Sequence, residues 1–477
     1  MFNASTLIAE GIDAEFESAD LGDPRRKRRL KLIGSAIMTQ PDVGFPQMVD
    51  GDSELEAFYR FFSNDHVDPD QVLASHVRAT VARMRRASQP VLVLHDTTVF
   101  SFGGSHRRRG LGRTNGQQQG FLAHTALAVL PGEARLALGV CGMVRICRSE
   151  EAANEKDAAN ESKASGASSR ESYRWQQLVE DVHGVTDGVD VVHVMDREGD
   201  QYDLLAKMQE LGAQFIVRAS HDRTLVEGGQ LSDVETAPSV VQRDVAVAER
   251  PEDPNRRPKK NGKLKHPRRQ QRLANLLISG ATVSMRRPRG ADSKAKSLTV
   301  NVVLVREQNP PAGEEPLSWT LYTTQPISTP KQLLAVVDNY RSRWVIEELF
   351  KALKTGCSIE KRQLESYHAL TVALAVFIPI AWRLLLMRSV ARATPDAPAT
   401  TILTTTELTL IKHKQNAAPA TAEEAFYAVA KLGGHLKRNG APGWITLARG
   451  FERLLLMEAG WRAALQATSD ESKRPLE

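Results

Sequence analysis

Tyr340, Arg343, Glu347, Lys351 and Lys354 follow one another at intervals of three, four, four and three residues. On a helix turning about 100° per residue they share a sector about 80° wide, with Val345, Ile346, Leu349, Phe350 and Leu353 on the opposite side. A lone carboxylate flanked by a tyrosine, an arginine and two lysines is the layout of a metal ligand set among phosphate-binding groups. The same intervals also make an ion-pair ladder, Arg343 to Glu347 to Lys351, on a solvated face, and the helix alone does not choose between the two. Two aspartates add to the first reading. Asp96 lies inside the β-rich run PVLVLHDTTVFSF, where an aspartate is a poor strand former and needs a cation or a strong hydrogen-bond donor. Asp196 ends the apolar run VDVVHVMD, at the point of a strand–helix–strand unit where functional groups collect. His95 falls on the other face of its strand from Asp96 and reads as a packed histidine.

The elements that must position these groups are legible in outline. Thr329 as cap, Pro330 at the first helical position, Gln332 closing a capping box and Gly356 as a left-handed exit predict one helix over 330–355, about 39 Å long. Within it, WVIEELF offers both Glu347 and Glu348; Glu347 lies in the cationic sector and Glu348 is turned about 100° further, toward the edge of that face, which favours Glu347 as the ligand. Three apolar runs from Pro90 onward predict an antiparallel meander, with the basic, glycine-rich stretch 103–120 after the first; it has no GK[ST] and is not a phosphate loop. The order of strands, meander and then strand–helix–strand, is that expected for a ribonuclease-H-like core. Residues 148–170 are poor in apolar side chains and predict a mobile excursion. From about 219 to 327 a second β-rich region reads as an inserted subdomain with a basic tip at 251–269.

At 477 residues and 41% hydrophobic content the chain is long enough for two or three domains with sizeable cores. The net charge is only +6, but the cations are bunched, most densely in DLGDPRRKRRLKLI after a turn-and-cap signal at Gly22, Asp23 and Pro24. Such clusters suit a polyanion. Farther on, Phe58, Tyr59 and Phe62 are expected inside a small helical domain. Three cysteines without a CxxC pair or metal-finger spacing suggest neither a disulfide framework nor structural zinc. The start of the chain reads as no signal peptide, and 369–387, interrupted by Pro379 and Arg383, reads as a buried helix rather than a membrane span. The compartment expected is the cytoplasm. Further helices are expected near 367–392, 402–414, 422–434 and 444–466, the last with an apolar stripe of Trp444, Leu447, Phe451, Leu454, Leu455 and Trp461 for which no surface within the chain is evident.

Asp96, Asp196 and Glu347 are separated by 100 and 151 residues. Three carboxylates on two strands and a late helix can hold two divalent ions about 3.5–4 Å apart for in-line attack on a phosphodiester. The helix pattern Tyr340, Arg343, Glu347, Lys354, together with LGDPRR, EAFYRF, DTT, DREGD, FIVR, WVIEE and KLGG, resembles the bacterial cut-and-paste DDE transposases of the insertion-sequence-four and transposon-five type. The resemblance implies an α/β fold: a ribonuclease-H-like core over 71–366 with the β-rich insertion, an N-terminal helical DNA-end-binding domain over 1–70 and a helical dimerisation region over 367–477. It implies Mg²⁺ as cofactor, two ions per site with Mn²⁺ as a substitute, held by Asp96, Asp196 and Glu347. It implies double-stranded DNA, both element ends and target, as partner of a homodimer, with excision through a DNA hairpin at each end. It places Arg25, Arg26 and Arg29 on the element end, Trp319 under a flipped base, and Arg218, Tyr340, Arg343, Lys351 and Lys354 on DNA. A stand-alone nuclease of the same core and a decayed DNA-binding protein are the competing readings.

Overall fold

The computed structural model describes residues 12–49, 51–104, 106–114, 118–148, 172–234, 241–250, 268–436, 438 and 440–471. Its helices are α1 (Pro24–Thr39), α2 (Asp52–Phe62), α3 (Pro69–Arg85), α4 (Tyr173–Val185), α5 (Tyr202–Glu210), α6 (Pro330–Arg341), α7 (Trp344–Lys351), α8 (Tyr367–Ala393), α9 (Thr405–Gln415), α10 (Ala422–Leu432) and α11 (Trp444–Glu471). Its strands are β1 (Val91–Phe102), β2 (Gln119–Val129), β3 (Ala137–Ile146), β4 (Val191–Met195), β5 (Gln214–Arg218), β6 (Val241–Val247), β7 (Arg272–Arg286), β8 (Ser297–Gln308) and β9 (Ser318–Thr323). They form two compact units, 1–191 with 342–477, and 192–341. These cut the chain at other points than the three domains expected from sequence. The expected excursion falls almost wholly on 149–171, and the basic tip on 251–267, both outside the described residues.

In the first unit β1, β2 and β3 form the expected antiparallel meander, with Asp96 opposite Thr125. The helix α8 runs through the core with Leu370, Phe377, Ile380 and Leu384 buried; it is long and apolar enough to cross a membrane, but its apolar window is wholly covered by protein. Arg383 is kept in that core by Glu407, 4.0 Å away, and by the face of Phe451, as a buried cation requires. Phe58 and Phe62 are buried as expected, with Phe61 beside them and Phe62 stacked on Phe45 at 5.0 Å. Tyr59, also expected inside, is half-exposed.

A buried charge cluster ties the start of the described chain to this core. The Arg83 guanidinium donates to both Glu15 oxygens, at 2.6 and 3.2 Å, and to the Leu138 carbonyl, and it lies 4.1 Å over the Trp382 ring. His76 Nε2 accepts from Val140 N–H, which leaves Nδ1–H to donate to Glu15 at 2.5 Å. Burial alone would raise the Glu15 carboxyl; the charges and hydrogen bonds of His76 and Arg83 more than offset that and hold it at about 2. The carboxyl titrates lower folded than unfolded, so the stability it contributes is complete above about pH 4.5 and is lost as pH falls toward 2. Glu15→Gln is expected to cost about 3 kcal/mol in urea unfolding, by leaving Arg83 buried without its counter-charge, and to flatten the decline in stability over that acid window. An unchanged urea midpoint and an unchanged acid slope would sink this account of the cluster.

In the second unit β4 and β5 run parallel, joined by α5, and the sheet continues from β5 in the order β9, β8, β7, β6, all antiparallel. The strands expected to form a separate inserted subdomain are therefore hydrogen-bonded onward from β5 through β9. The helix α6 covers this sheet with Leu333, Val336 and Val337; it packs closely at Gly280 on β7, where a Cβ would stand 2.9 Å from the Leu333 side chain.

The single helix expected over 330–355 is broken. Its start is as expected: Thr329 N–H donates to Gln332 Oε1 and Gln332 N–H to Thr329 Oγ1, a complete capping box. Ser342 and Arg343 then interrupt it, with Val345 N–H bonded to Ser342 O and Ile346 N–H to Arg343 O in tightened i to i−3 turns. After α7 the chain widens into a π-turn over Ala352–Gly356, and the left-handed residue is Ser358, at φ 48°, not Gly356. The apolar stripe of α11 is also corrected. Trp444, Leu447, Phe451 and Leu454 are buried in the chain's own core against neighbouring helices; Trp461 is exposed, with Leu465 one turn on.

Candidate active site

The meander and α7 bring Asp96, Arg343 and Glu347 together. Asp96 sits on β1 where the strand demands a partner: Oδ1 accepts from Thr97 N–H at 2.8 Å and Oδ2 from Arg343 Nη1 at 2.6 Å. The other arm of the same guanidinium, Nη2, donates to Glu347 Oε1 at 3.0 Å. Arg343 is 11% exposed and the carboxylates 18% and 32%, so one cation stands between two acids in a partly dried surface. The first step of the expected ladder, Arg343 to Glu347, is present; the second is not. Lys351 instead pairs with Glu348 at 3.0 Å, and Glu348 also lies 3.2 Å from Arg388 on α8. Glu347 and Glu348 thus part company as the 100° turn predicts: one faces Asp96 through Arg343, the other a separate pair of cations.

Lys354 Nζ donates to the Val99 carbonyl at 2.6 Å and lies 3.8 Å from Glu360, whose Oε1 in turn accepts from Ser101 N–H. Behind Asp96 is a group that sequence reasoning missed. Thr97 Oγ1 lies 2.9 Å from His124 Nδ1 and accepts from Arg174 Nε at 3.2 Å, and the His124 ring packs 4.2 Å from Trp175. Burial, reinforced by the Arg174 charge, pushes His124 well below its ordinary pKa, so the imidazole is neutral. No local pattern marks it, because its partners come from β1 and α4. His95 is fully buried against His124 and Trp175, a packed histidine as expected.

Asp196 belongs to the other unit. It follows β4 directly and its Oδ1 accepts from Glu198 N–H at 2.9 Å, capping the turn Arg197–Gly199. Its neighbour Asp200 is structural: with no side-chain exposure, it takes the Arg223 guanidinium and the N–H groups of Ser220 and His221. In the same unit Tyr340 is buried at the end of α6 with its ring 5.8 Å from that of Trp319, and Arg218 Nη2 donates to Ser318 O at 3.3 Å. Tyr340 therefore shares no helix with Arg343, Glu347 and Lys354, and the common 80° sector does not extend to it.

At the N-terminal side Gly22 turns the chain at φ 70°, and Asp23 caps α1 through Arg25 N–H. The apolar side, Leu30, Ile33 and Ile37, is buried. Arg25 is 87% exposed and pairs with Asp23, Arg26 is half-buried with Nη1 on the Leu21 carbonyl, and Arg29 is half-exposed.

Carboxylates offered from a strand and a helix of a mixed α/β fold, with guanidinium and ammonium groups beside them, are compatible with the class of protein that acts on phosphodiesters. Two family matches make this specific: residues 9–67 match the transposase DNA-binding domain and residues 163–378 the transposase DDE domain. The chain thus carries the two domains of a DDE transposase, a DNA-binding protein whose catalytic domain cleaves nucleic acid. Arg25, Arg26 and Arg29 fall in the first match; Asp196, Arg218, Trp319, Tyr340, Arg343, Glu347, Lys351 and Lys354 fall in the second, and Asp96 lies outside both.

The chemistry of Asp96 and Glu347 fits a hard divalent cation: both offer carboxylate oxygens, and both already pair with one positive charge, that of Arg343. Among the described residues no group of three or more His, Cys, Asp or Glu is gathered about one point.

Proposed function

We propose that the protein excises a mobile DNA element and joins its 3′ ends to target DNA, with Asp96, Asp196 and Glu347 as metal ligands. The observation that carries the reading is Arg343 shared between Asp96 and Glu347, 2.6 and 3.0 Å away, which brings two acids to one cation. A bound pair of Mg²⁺ ions, or Mn²⁺ in their place, would activate the attacking water or 3′-hydroxyl and stabilise the displaced oxygen. The chain's own residues do the rest. Arg343, released from the acids, takes a non-bridging phosphate oxygen in a fork that matches it, and Lys354 and Lys351 add charge along the same strand. Trp319, half-exposed over Tyr340, stacks a base turned out of the end, as the hairpin route of excision requires, and Arg218 holds the adjacent backbone. Arg25, Arg26 and Arg29 grip phosphates of the element end. The exposed pair Trp461 and Leu465 on α11 joins two copies on paired ends. The protein acts in the cytoplasm, on nucleoid DNA.

The test is incubation of the protein with duplexes taken from the flanks of its own gene, with Mg²⁺ or with EDTA. Expected with Mg²⁺ are complexes holding two duplexes, hairpin-ended products and joining to a second DNA, all but the complexes lost in EDTA. Cleavage without joining would favour the stand-alone nuclease, and binding without cleavage the decayed protein.

A further inference from the structure

We propose that a second DNA-binding site lies in the unit formed by 1–191 and 342–477: a basic cleft that holds duplex backbone about six base pairs from the bond cut at Asp96. It rests on the reading of Asp96 given above. The cleft has a volume of about 1480 Å³ between α2, represented by Tyr59 and Ser63, residues 103, 104 and 106–109 after β1, and the segment 360–366. That volume exceeds the roughly 300–1,000 Å³ of small-molecule sites, and the side chains lining it are mostly polar, which together argue for a macromolecular polyanion. Arg107, Arg109 and Lys361 are exposed in it, against one exposed acid, Glu365. The other acid, Glu360, is committed to Ser101 N–H and to Lys354.

The cations stand on a braced frame. Arg108, between the two exposed arginines, donates from Nε to Leu364 O at 3.0 Å and from Nη1 to Gly103 O at 2.9 Å. Arg109 N–H donates to Glu365 O and Tyr367 N–H to Arg109 O, both at 2.9 Å, so the stretch is stitched to the 360–367 segment on both sides. A preorganised backbone of this kind spares the ordering cost that a free basic loop would incur on binding. One wall, Tyr59 and Ser63, belongs to the residues matched by the transposase DNA-binding domain, which makes DNA the polyanion.

The strand β1 sets the distance. From Asp96 to Phe102, where the cleft opens, six residues at about 3.3 Å span about 20 Å. Side chains follow that line: Arg343 at Asp96, Lys354 at Val99, Glu360 at Ser101 and Arg108 at Gly103. At about 3.4 Å per base pair the same span is about six steps of duplex.

The experiment compares the triple variant Arg107→Ala, Arg109→Ala, Lys361→Ala with the intact cleft, both in an Asp96→Asn background so that binding is read without turnover. Duplexes from the element end extend either about twelve or about three base pairs beyond the scissile phosphate, on one side or the other. On duplexes extended on one of the two sides, the variant should bind about tenfold more weakly, with a salt dependence flatter by about 0.9 per lost phosphate contact. On the short duplexes the two proteins should bind alike, and their melting temperatures should match. The side on which the loss appears tells element DNA from flanking DNA. An equal loss on short and long duplexes, or none on the long ones, overturns the proposal. Cleavage by the Asp96→Asn protein would instead count against the active-site reading, with the binding comparison still scoring the cleft.

Discussion

Asp96→Asn is expected to bind element-end DNA as the unaltered protein does and to lose cleavage and strand transfer by about a thousandfold or more. The amide keeps the shape of the side chain and can still accept from Thr97 N–H, so β1 and its register with β2 stay as they are. What goes is the anion. A neutral oxygen attracts a divalent ion far less than a carboxylate, and the transition-state stabilisation supplied by such an ion is several kcal/mol, each 1.36 kcal/mol being about tenfold in rate. The Arg343 pairing adds a second readout. With Asp96 neutral, the guanidinium has Glu347 as its one ionised partner of the two, so DNA binding should hold or rise slightly as the cationic balance of the surface increases. Cleavage at an undiminished rate would remove Asp96 from the site.

Glu347→Gln and Glu348→Gln should separate by a similar factor, although the two acids are adjacent. Glu347 faces Asp96 across Arg343, whereas Glu348 is turned to Lys351 and Arg388. The first substitution removes a carboxylate from the reacting side and should abolish strand transfer while end binding persists. The second leaves that side untouched. Its cost falls on stability, because Arg388 is only 15% exposed and burial already lowers its pKa; losing the Glu348 charge should lower unfolding stability by about 1–2 kcal/mol, with substantial activity remaining. Strand-transfer assays and urea midpoints on both proteins give the comparison. The reverse ranking in activity would mean that α7 presents its other face to DNA, and the phosphate-gripping roles of Arg343 and Lys354 would fall with it.

Much of this protein is written locally, and those parts were legible in the sequence. The Thr329–Gln332 box, the Asp23 cap with Pro24 behind it, the meander and the buried character of α8 each depend on residues a few positions apart, or on apolar content over a single element. The demand that a mid-strand Asp96 makes for a cation was equally plain, and Arg343 meets it. What only the tertiary structure decided involves two cores or two distant partners. The stretch 330–355 has helical periodicity throughout, yet Leu333, Val336, Val337 and Tyr340 are buried in the unit 192–341 while Ile346, Leu349 and Phe350 are buried in the other, and the helix is interrupted between them at Ser342 and Arg343. Lys354 donates to a β1 carbonyl 255 residues away, Glu348 finds Arg388 on α8, and the stripe of α11 from Trp444 to Leu454 is covered by other helices of its own chain. Periodicity states which face of a helix is apolar. What covers that face, and which acid meets which base, depends on contacts that have no period in the sequence.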